Sequence, residues 1–380
     1  MWQVLFRIPL RRIFDWLPSW VPDSFPIYGF GVMLVCAFLI CPWLANRRAE
    51  KEGIAKERIQ DLAIWIFAGG IIFARITFLI QYGRPITEFL NIWQGGLVFY
   101  GSAIGGLIGY MGAYFFVLRK YNLSTWKIAD IIAPSAAIGL CLGRVGCLLN
   151  GCCYGNVATC EYCPQIAFPL SAPSRFDLVR HGYQTAAGFT IAGDRPVTVG
   201  TVAEDSPAYQ KGLRPGDQIV TIRDFNKPGD NQSIEKYYDP DPEDLRSFWN
   251  CLVMDWPRGK TDLALTVVHR DGQTEDLPAF TPWTLYLHPT QIYESISTLL
   301  LFFLLTAYYP FRRRDGEVMV LFMIGYAIHR FLNEMLRNDT DPVAFGMTLS
   351  QNGSILFLAV ALILAVILLR KPVQYRPAMA

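Results

Sequence analysis

The sequence predicts a polytopic α-helical membrane protein of about seven transmembrane helices, with an exported α+β domain inserted between spans four and five. Three observations carry that reading. Of 380 residues, 52% are hydrophobic and only 17% are charged, which is too apolar for an ordinary soluble chain. The apolar residues gather in blocks of roughly 17–25 residues, the length that crosses about 30 Å of hydrocarbon. One long stretch, 156–283, holds no such block and is rich in Asp, Pro, Gly and Thr.

The blocks lie at approximately 27–45, 61–81, 95–118, 126–149, 290–310, 317–337 and 353–369. A net charge of +2 gives no reason to expect nucleic acid as a partner, and the basic residues inform by position instead. Connection 46–60 carries Arg47, Arg48, Lys51, Lys56 and Arg58, and connection 119–127 carries Arg119, Lys120 and Lys127. Connection 311–316 carries Arg312, Arg313 and Arg314, and the tail carries Arg370, Lys371 and Arg376. The positive-inside rule makes these four segments and the C-terminus cytoplasmic, with the N-terminus and 156–283 outside.

The chain then divides into an N-terminal interfacial segment (1–26), four spans (27–155), an exported connector with a cysteine pair (156–185), a folded insert (186–280), three spans (284–372) and a cytoplasmic tail (373–380). In the first of these, Trp2, Leu5, Phe6, Ile8, Phe14, Trp16, Leu17 and Trp20 interleave with arginines, as in a segment lying in the membrane interface. It lacks the apolar core and cleavage site of a signal peptide.

Polar residues inside the apolar blocks are the candidates for function. Tyr28 stands at the outer end of the first span, where an aromatic belt would also place it. Arg75 interrupts the second span; it faces a bundle interior or snorkels to the interface. In the third, Gly101, Gly105 and Gly109 recur every four residues, a signal for close helix packing, and Tyr100 and Ser102 offer hydroxyls. Asp130 and Arg144 in the fourth are about 21 Å apart along a straight helix and cannot pair.

The stretch from Leu142 to Gly155 joins Arg144, Cys147, Asn150, Cys152 and Cys153 to several glycines at a membrane edge. A charge near hydrocarbon costs about 2.5–3.5 kcal/mol on insertion scales, so this stretch reads as a binder of something polar. His288, Gln291, Tyr293 and Glu294 open the fifth span. Tyr326, Arg330 and Glu334 follow at i, i+4 and i+8 on one helix face, flanked by His329 and Arg337. Arginines with tyrosines and amides at the outer leaflet describe a phosphate site in apolar walls, with a phospholipid headgroup as the obvious anion.

Cys147, Cys152, Cys153, Cys160 and Cys163 offer an alternative as a metal site, with Cys160-x-x-Cys163 as half of a zinc pattern, but no second well-spaced pair follows in the exported segment. Disulfides suit that compartment better, with Cys160 and Cys163 the preferred pair.

Within the insert, a strand at Val197–Val202, Ser206-Pro207-Ala208 through Gly212-Leu213, Arg214-Pro215-Gly216-Asp217 leading into a second strand, and a late Val268-His269-Arg270-Asp271-Gly272 follow in order. That order resembles a bacterial PDZ domain over roughly 186–280. The resemblance implies a peptide or C-terminus as its ligand, taken as an added strand.

The membrane half resembles the prolipoprotein diacylglyceryl transferases. The resemblance rests on Tyr28-Gly29, Ala74-Arg75, Gly95-Gly96 through Gly101, Asp130 with Pro134, Gly143-Arg144-x-Gly146 through Asn150-Gly151 and Gly155, His288-Pro289-x-Gln291-x-Tyr293-Glu294, and Tyr326 with Arg330 and Glu334. It implies a bacterial cytoplasmic (inner) membrane enzyme that moves the diacylglyceryl group of phosphatidylglycerol onto the lipobox cysteine of prolipoprotein signal peptides, forming a thioether and releasing glycerol phosphate. Arg144 and Arg330 would hold the phosphate, Glu334 would orient Arg330, and Tyr28, Asn150 and Tyr326 would bind the headgroup; Arg75, Gly155, His288, Gln291, Tyr293 and Glu294 complete the substrate site. No metal or other cofactor is called for.

This chain departs from the commoner pattern in two ways. Tyr100 stands where the family often has the histidine proposed as base, and Cys147 and Cys152 stand where Asn and Glu are common. A phenol with pKa near 10 is a poor base unless an arginine lowers it. The rival is a non-catalytic paralogue that keeps the lipid pocket and uses the PDZ-like domain as a binding scaffold. Intramembrane zinc proteases and rhomboid-type proteases are excluded, because His181, His269, His288 and His329 form no His-Glu-x-x-His and Ser102 lacks the serine-protease context.

Overall fold

The computed structural model describes residues 3–13, 16, 24–81, 83–90, 98–121, 123–160, 162–194, 197–224, 232–233, 252, 256–337 and 342–373. It divides into two compact units: Met1–Leu34 with Leu142–Ser295 and Arg330–Asn352, and Val35–Cys141 with Ile296–His329 and Gly353–Ala380.

Helices occupy all seven apolar intervals. They are α2 (Gly29–Lys51), α3 (Lys56–Gln81), α4 (Phe99–Phe116), α5 (Thr125–Asn150), α8 (Thr290–Tyr308), α9 (Glu317–Glu334) and α10 (Leu349–Leu369). Among the described residues, five stretches are long and apolar enough to cross a membrane: α2, α3, α5, α8 with its extension to Phe311, and α10. Helices α4 and α9 are shorter, 18 residues each.

In the second unit, the glycines of α4 do what their spacing predicts. A Cβ at Gly101 would come within 2.6 Å of the Phe73 carbonyl oxygen, and Cβ atoms at Gly105 and Gly109 would strike the carbonyls of Gly69 and Trp65 on α3. Two backbones are in contact here, which lets dispersion hold helices together where lipid removes the hydrophobic drive between them.

Charges buried in this unit are all engaged. Asp130, fully buried, accepts the backbone N–H groups of Gly316 at 2.8 Å and Met319 at 3.0 Å, and pairs with Arg312 at 3.5 Å. It thereby caps the start of α9, where unpaired N–H groups favour an anion. Glu52 pairs with Arg312 and, at 3.3 Å, with Lys127, while Arg314 donates to the Lys371 carbonyl at 2.8 Å. Each of the four basic segments thus contributes at least one residue to these contacts.

In the first unit, the N-terminal segment begins with paired strands. Strand β1 (Val4–Ile8) lies antiparallel to β2 (Phe25–Tyr28), with α1 (Leu10–Ile13) between them. Tyr28 therefore ends a strand, and the first long helix starts after it, at Gly29. The side-chain amide of Gln3 donates to the carbonyls of Asn150 and Ser171 at 2.9 Å each and accepts from Gly259 N–H at 3.2 Å.

The insert contains β3 (Phe189–Asp194), β4 (Val197–Val202), β5 (Gln218–Arg223), β6 (Gln232–Ser233), β7 (Ala264–Val268) and β8 (Thr274–Asp276), with α6 (Pro173–Arg180) before the sheet and α7 (Pro207–Gln210) after β4. The sheet runs β3-β4-β5-β7-β8, with β6 added on β5, and every pairing is antiparallel. Val199, Ile219, Ile222, Leu265 and Val267 fill its core with Ala208 and Leu213. Ser206 caps α7 by accepting from Tyr209 N–H at 3.2 Å, as its sequence position predicts. Arg175 of α6 is buried; its guanidinium donates to the carbonyls of Leu170, Ala186 and Leu252 and so ties the connector to the insert.

Replacing Gly105 by leucine should force α3 and α4 apart and lower the thermal unfolding temperature of the detergent-solubilised chain, whereas Gly106→Ala, where a Cβ meets nothing closer than 3.6 Å, should leave it nearly unchanged. A pH effect belongs to the sheet. His269 hydrogen-bonds Asp217 and Glu275, each at 2.9 Å, and these two carboxylates, Asp217 foremost, raise its pKa above the usual 6.5. A pKa raised on folding contributes stability that is full below about 6.5 and disappears as pH climbs through the raised value. Hydrogen exchange at Ile219 and Val267 should therefore quicken as pH rises through that window, after correction for intrinsic rates, and His269→Gln should remove the extra dependence.

Candidate functional site

The site begins where α5 stops. Gly151 and Cys153 adopt positive φ of 76° and 60°, and Gly151 N–H closes back on the Cys147 carbonyl at 2.9 Å. A helix end with a left-handed glycine reverses the chain without a Cβ clash. Helix α8 starts at Thr290 just after Pro289, a residue preset for the first turn. Its first two side chains hold the turn: Thr290 Oγ1 donates to the Cys153 carbonyl and Gln291 Nε2 to the Cys152 carbonyl, both at 2.8 Å.

Gly155 closes the arrangement. Its N–H donates to the His288 carbonyl at 2.9 Å, it bridges to Arg337, and a Cβ there would lie 2.8 Å from His288 and Thr290 atoms. Nothing larger fits.

These contacts set four elements around one carboxylate. Glu294, in the second turn of α8 and 2% exposed, pairs with Arg144 from α5, with Arg330 from α9 at 3.0 Å and with Arg337 just beyond α9 at 4.0 Å. Arg330 also contacts Glu334 at 2.7 Å and donates to Ser350 Oγ of α10 at 2.9 Å. Glu334, again 2% exposed, accepts from Thr348 at 2.9 Å and lies 3.7 Å from Arg337. Among the described residues, three guanidinium groups therefore face two carboxylates. Arg144 remains the most open of the three arginines, with 19% of its side chain exposed against 12% for Arg330 and 7% for Arg337.

The other sequence-derived candidates fall in three groups. Around the turn, Asn150 Nδ2 donates to Cys152 Sγ at 3.4 Å, His288 Nδ1 lies 3.4 Å from the Tyr293 hydroxyl, and Tyr28 has the Arg258 guanidinium 6.0 Å from its ring centre. Gln291 is buried, and its Oε1 finds no hydrogen-bond partner among the described residues, an acceptor suited to a ligand hydroxyl or water. In the second unit, Arg75 donates to the carbonyls of Glu88 at 2.5 Å and Phe89 at 3.2 Å, and Tyr326 packs its ring on Phe322 and Phe357. The side chain of Tyr100, like residues Gly95 and Gly96, lies outside the described residues.

Two residues of the sequence reading take a more central place in the structure. Glu294 is the counterion of the cluster rather than a peripheral member, and Arg337 belongs to it; its spacing of three from Glu334 on the helical register was the available signal. The cysteines also separate. Cys160 and Cys163 form the expected disulfide, while the sulfurs of Cys147, Cys152 and Cys153 all lie within 4.8 Å of one another. No other His, Cys, Asp or Glu group of three or more with metal-binding spacing occurs among the described residues.

Apolar helices long enough to span a bilayer, with a buried arginine–carboxylate cluster at the ends of α5, α8 and α9, define a membrane protein with a charged interior site. The family model described as prolipoprotein diacylglyceryl transferase matches residues 20–367, and the chain belongs to that family. A protein of Rhodopirellula baltica named phosphatidylglycerol--prolipoprotein diacylglyceryl transferase is 28% identical over 92% of this chain and 73% of its own length. Relatives of the same name from Bacillus cereus and Geobacillus kaustophilus are 34% and 33% identical over 38% and 42% of this chain. Those two matches span 54% and 58% of the relatives' lengths.

Glu294→Gln should cost about 3–5 kcal/mol, because it strands buried guanidinium groups. Combining it with Arg144→Gln should cost clearly less than the two changes added together; additivity in detergent unfolding would show that the pair does not interact.

Proposed function

We propose that this chain transfers the diacylglyceryl group of phosphatidylglycerol to the lipobox cysteine of prolipoproteins, forming a thioether and releasing glycerol phosphate. The observation that carries the reading is the gathering of Arg144, Arg330 and Arg337 around Glu294 and Glu334, with Arg144 the most open of the three. The family membership and the relatives' names supply the lipid and peptide substrates.

The chemistry follows from the charge. The peptide sulfur attacks the glyceryl carbon bonded to the phosphate oxygen; a carbon–sulfur bond forms and the carbon–oxygen bond breaks, with its electron pair leaving on glycerol phosphate. The leaving group gains negative charge as the bond breaks. Guanidinium groups already fixed by Glu294 and Glu334 stabilise that charge without reorganising. Arg144, the most open, holds the phosphate; Arg330, locked on both sides, keeps the field in place. Gln291 Oε1 accepts from a headgroup hydroxyl.

The same reading has seven spans in the bacterial cytoplasmic membrane, with the four basic segments cytoplasmic and the insert outside. The joined basic segments and the Cys160–Cys163 disulfide support that orientation. It also has the insert as a PDZ-like domain with a peptide or C-terminus as ligand, supported by the antiparallel sheet and the capped Ser206 turn.

Arg144→Ala and Arg330→Ala should each reduce transfer by about 100-fold or more, as removal of one preorganised donor does elsewhere. The assay is thioether formation on a lipobox peptide in phosphatidylglycerol vesicles, followed by mass spectrometry. Lipid binding by the unaltered chain with no thioether at all would favour the non-catalytic reading.

A further inference from the structure

We propose that Cys147, Cys152 and Cys153 form a three-sulfur zinc site whose fourth position takes the cysteine sulfur of the substrate peptide. The inference rests on the transfer reading above and adds how the attacking thiol is activated.

The geometry is that of a ligand set. With zinc–sulfur bonds of about 2.3 Å, tetrahedral ligands stand about 3.8 Å apart. The three sulfurs here already lie within 4.8 Å of one another, so small side-chain rotations bring them to that spacing. None of the three is in a disulfide. The last helical turn supplies Cys147, and the left-handed backbone at Cys153 turns its side chain back to the same place.

Cations and hydrogen-bond donors lie beside this set. Three thiolates on a divalent ion carry one net negative charge, and the arginines Arg144 and Arg337 both act electrostatically on Cys153. Asn150 Nδ2 donates to the sulfur of Cys152 at 3.4 Å. Thr290 and Gln291 hold the carbonyls of Cys153 and Cys152 at 2.8 Å, which fixes the loop that bears two of the three ligands. Outer contacts of this kind orient metal ligands.

A set of three protein ligands also leaves a tetrahedral position open, the arrangement of catalytic rather than structural zinc. The reaction needs a thiolate, and a free thiol with pKa near 8.5 is mostly protonated at neutral pH. Glu294 and Glu334 are engaged with arginines. Zinc removes the need for a carboxylate base: a coordinating thiol gives up its proton to water on binding. The bound sulfur then attacks the glyceryl carbon, the carbon–oxygen bond breaks toward phosphate, and the product thioether, a weak zinc ligand, leaves. No electron is gained or lost by any group.

The test uses the purified full chain stripped of metal and loaded with Co²⁺, whose thiolate charge-transfer band reports the number of sulfur ligands. We expect one ion per chain, a band of three-thiolate intensity, a loss of about one third of it in Cys152→Ser, and a gain toward four thiolates when a lipobox peptide is added. The same peptide with serine for cysteine should add nothing. Absence of stoichiometric binding, binding without a thiolate band, or a disulfide between any two of the three cysteines overturns the site. Indifference of the band to the cysteine peptide in the unaltered chain overturns the open-position role, and does so whether or not the serine variant folds. Metal-free chain should transfer about 100-fold more slowly than zinc-loaded chain, the size of a lost base; equal rates also overturn that role. A cobalt-loaded chain that takes up the peptide sulfur yet makes no thioether with zinc refutes the transferase reading while upholding the metal site.

Discussion

The first unit depends on a single buried carboxylate. Glu294 sits among guanidinium groups in a region built of apolar helices, where an unpaired charge of either sign is costly and a pair survives only with good geometry. Every segment that supplies a partner is therefore held to a narrow position. Gly155 lacks a side chain because His288 and Thr290 approach it, and they approach because α8 must carry Glu294 beneath Arg144. The end of α9 and the start of α10 are fixed in turn by Arg330 reaching Glu334 and Ser350.

The second unit solves a like problem with different donors. Asp130 is satisfied by two backbone N–H groups at the head of α9 and by Arg312, so a buried charge selects which helix end it meets. Between helices in lipid, apolar surface selects little, since tails are as apolar as leucine. Pairing must come from shape or from polar bonds. The glycines of α4 against α3 supply the first and Asp130 the second. A chain with only 17% charged residues places a good share of its specificity in a few of them.

Local spacing explains what was legible in the sequence. Arg330 and Glu334 are one helical turn apart, Gly101, Gly105 and Gly109 repeat by four, and Cys160 and Cys163 are too close in sequence to miss. Each signal lies within one element. The role of Glu294 depends on Arg144, which is 150 positions away in the chain, and no periodicity encodes that meeting. The same holds for the thiols: Cys147 reads as part of a helix and Cys152 and Cys153 as part of a loop until the turn at Gly151 folds one onto the other. The β1–β2 pairing was hidden because aromatic and arginine residues in alternation fit an interfacial segment as well as a strand.

The insert raises the question of how a separately packed sheet can interrupt a site held to such tolerances. Its stem gives the answer. Gly155 bonds the His288 carbonyl, and bridges join Val157 and Ile166 to Leu287 and Pro169 to Trp283, so the chain leaving the turn is zipped to the chain returning to α8 before the sheet begins. Closing a loop over 156–283 costs entropy that grows only with the logarithm of its length, so the length of what lies beyond the stem matters little to the closure. The stem carries the closure, and the positions of Gly155 and His288 follow from it rather than from the interior of the sheet. Two direct bonds cross this division among the described residues: Gln3 joins the Asn150 carbonyl to Gly259 of the insert, and Ser174 N–H of α6 donates to the Gly151 carbonyl at 3.2 Å. A ligand that shifts the sheet has these bonds as a direct polar path to the turn at the end of α5.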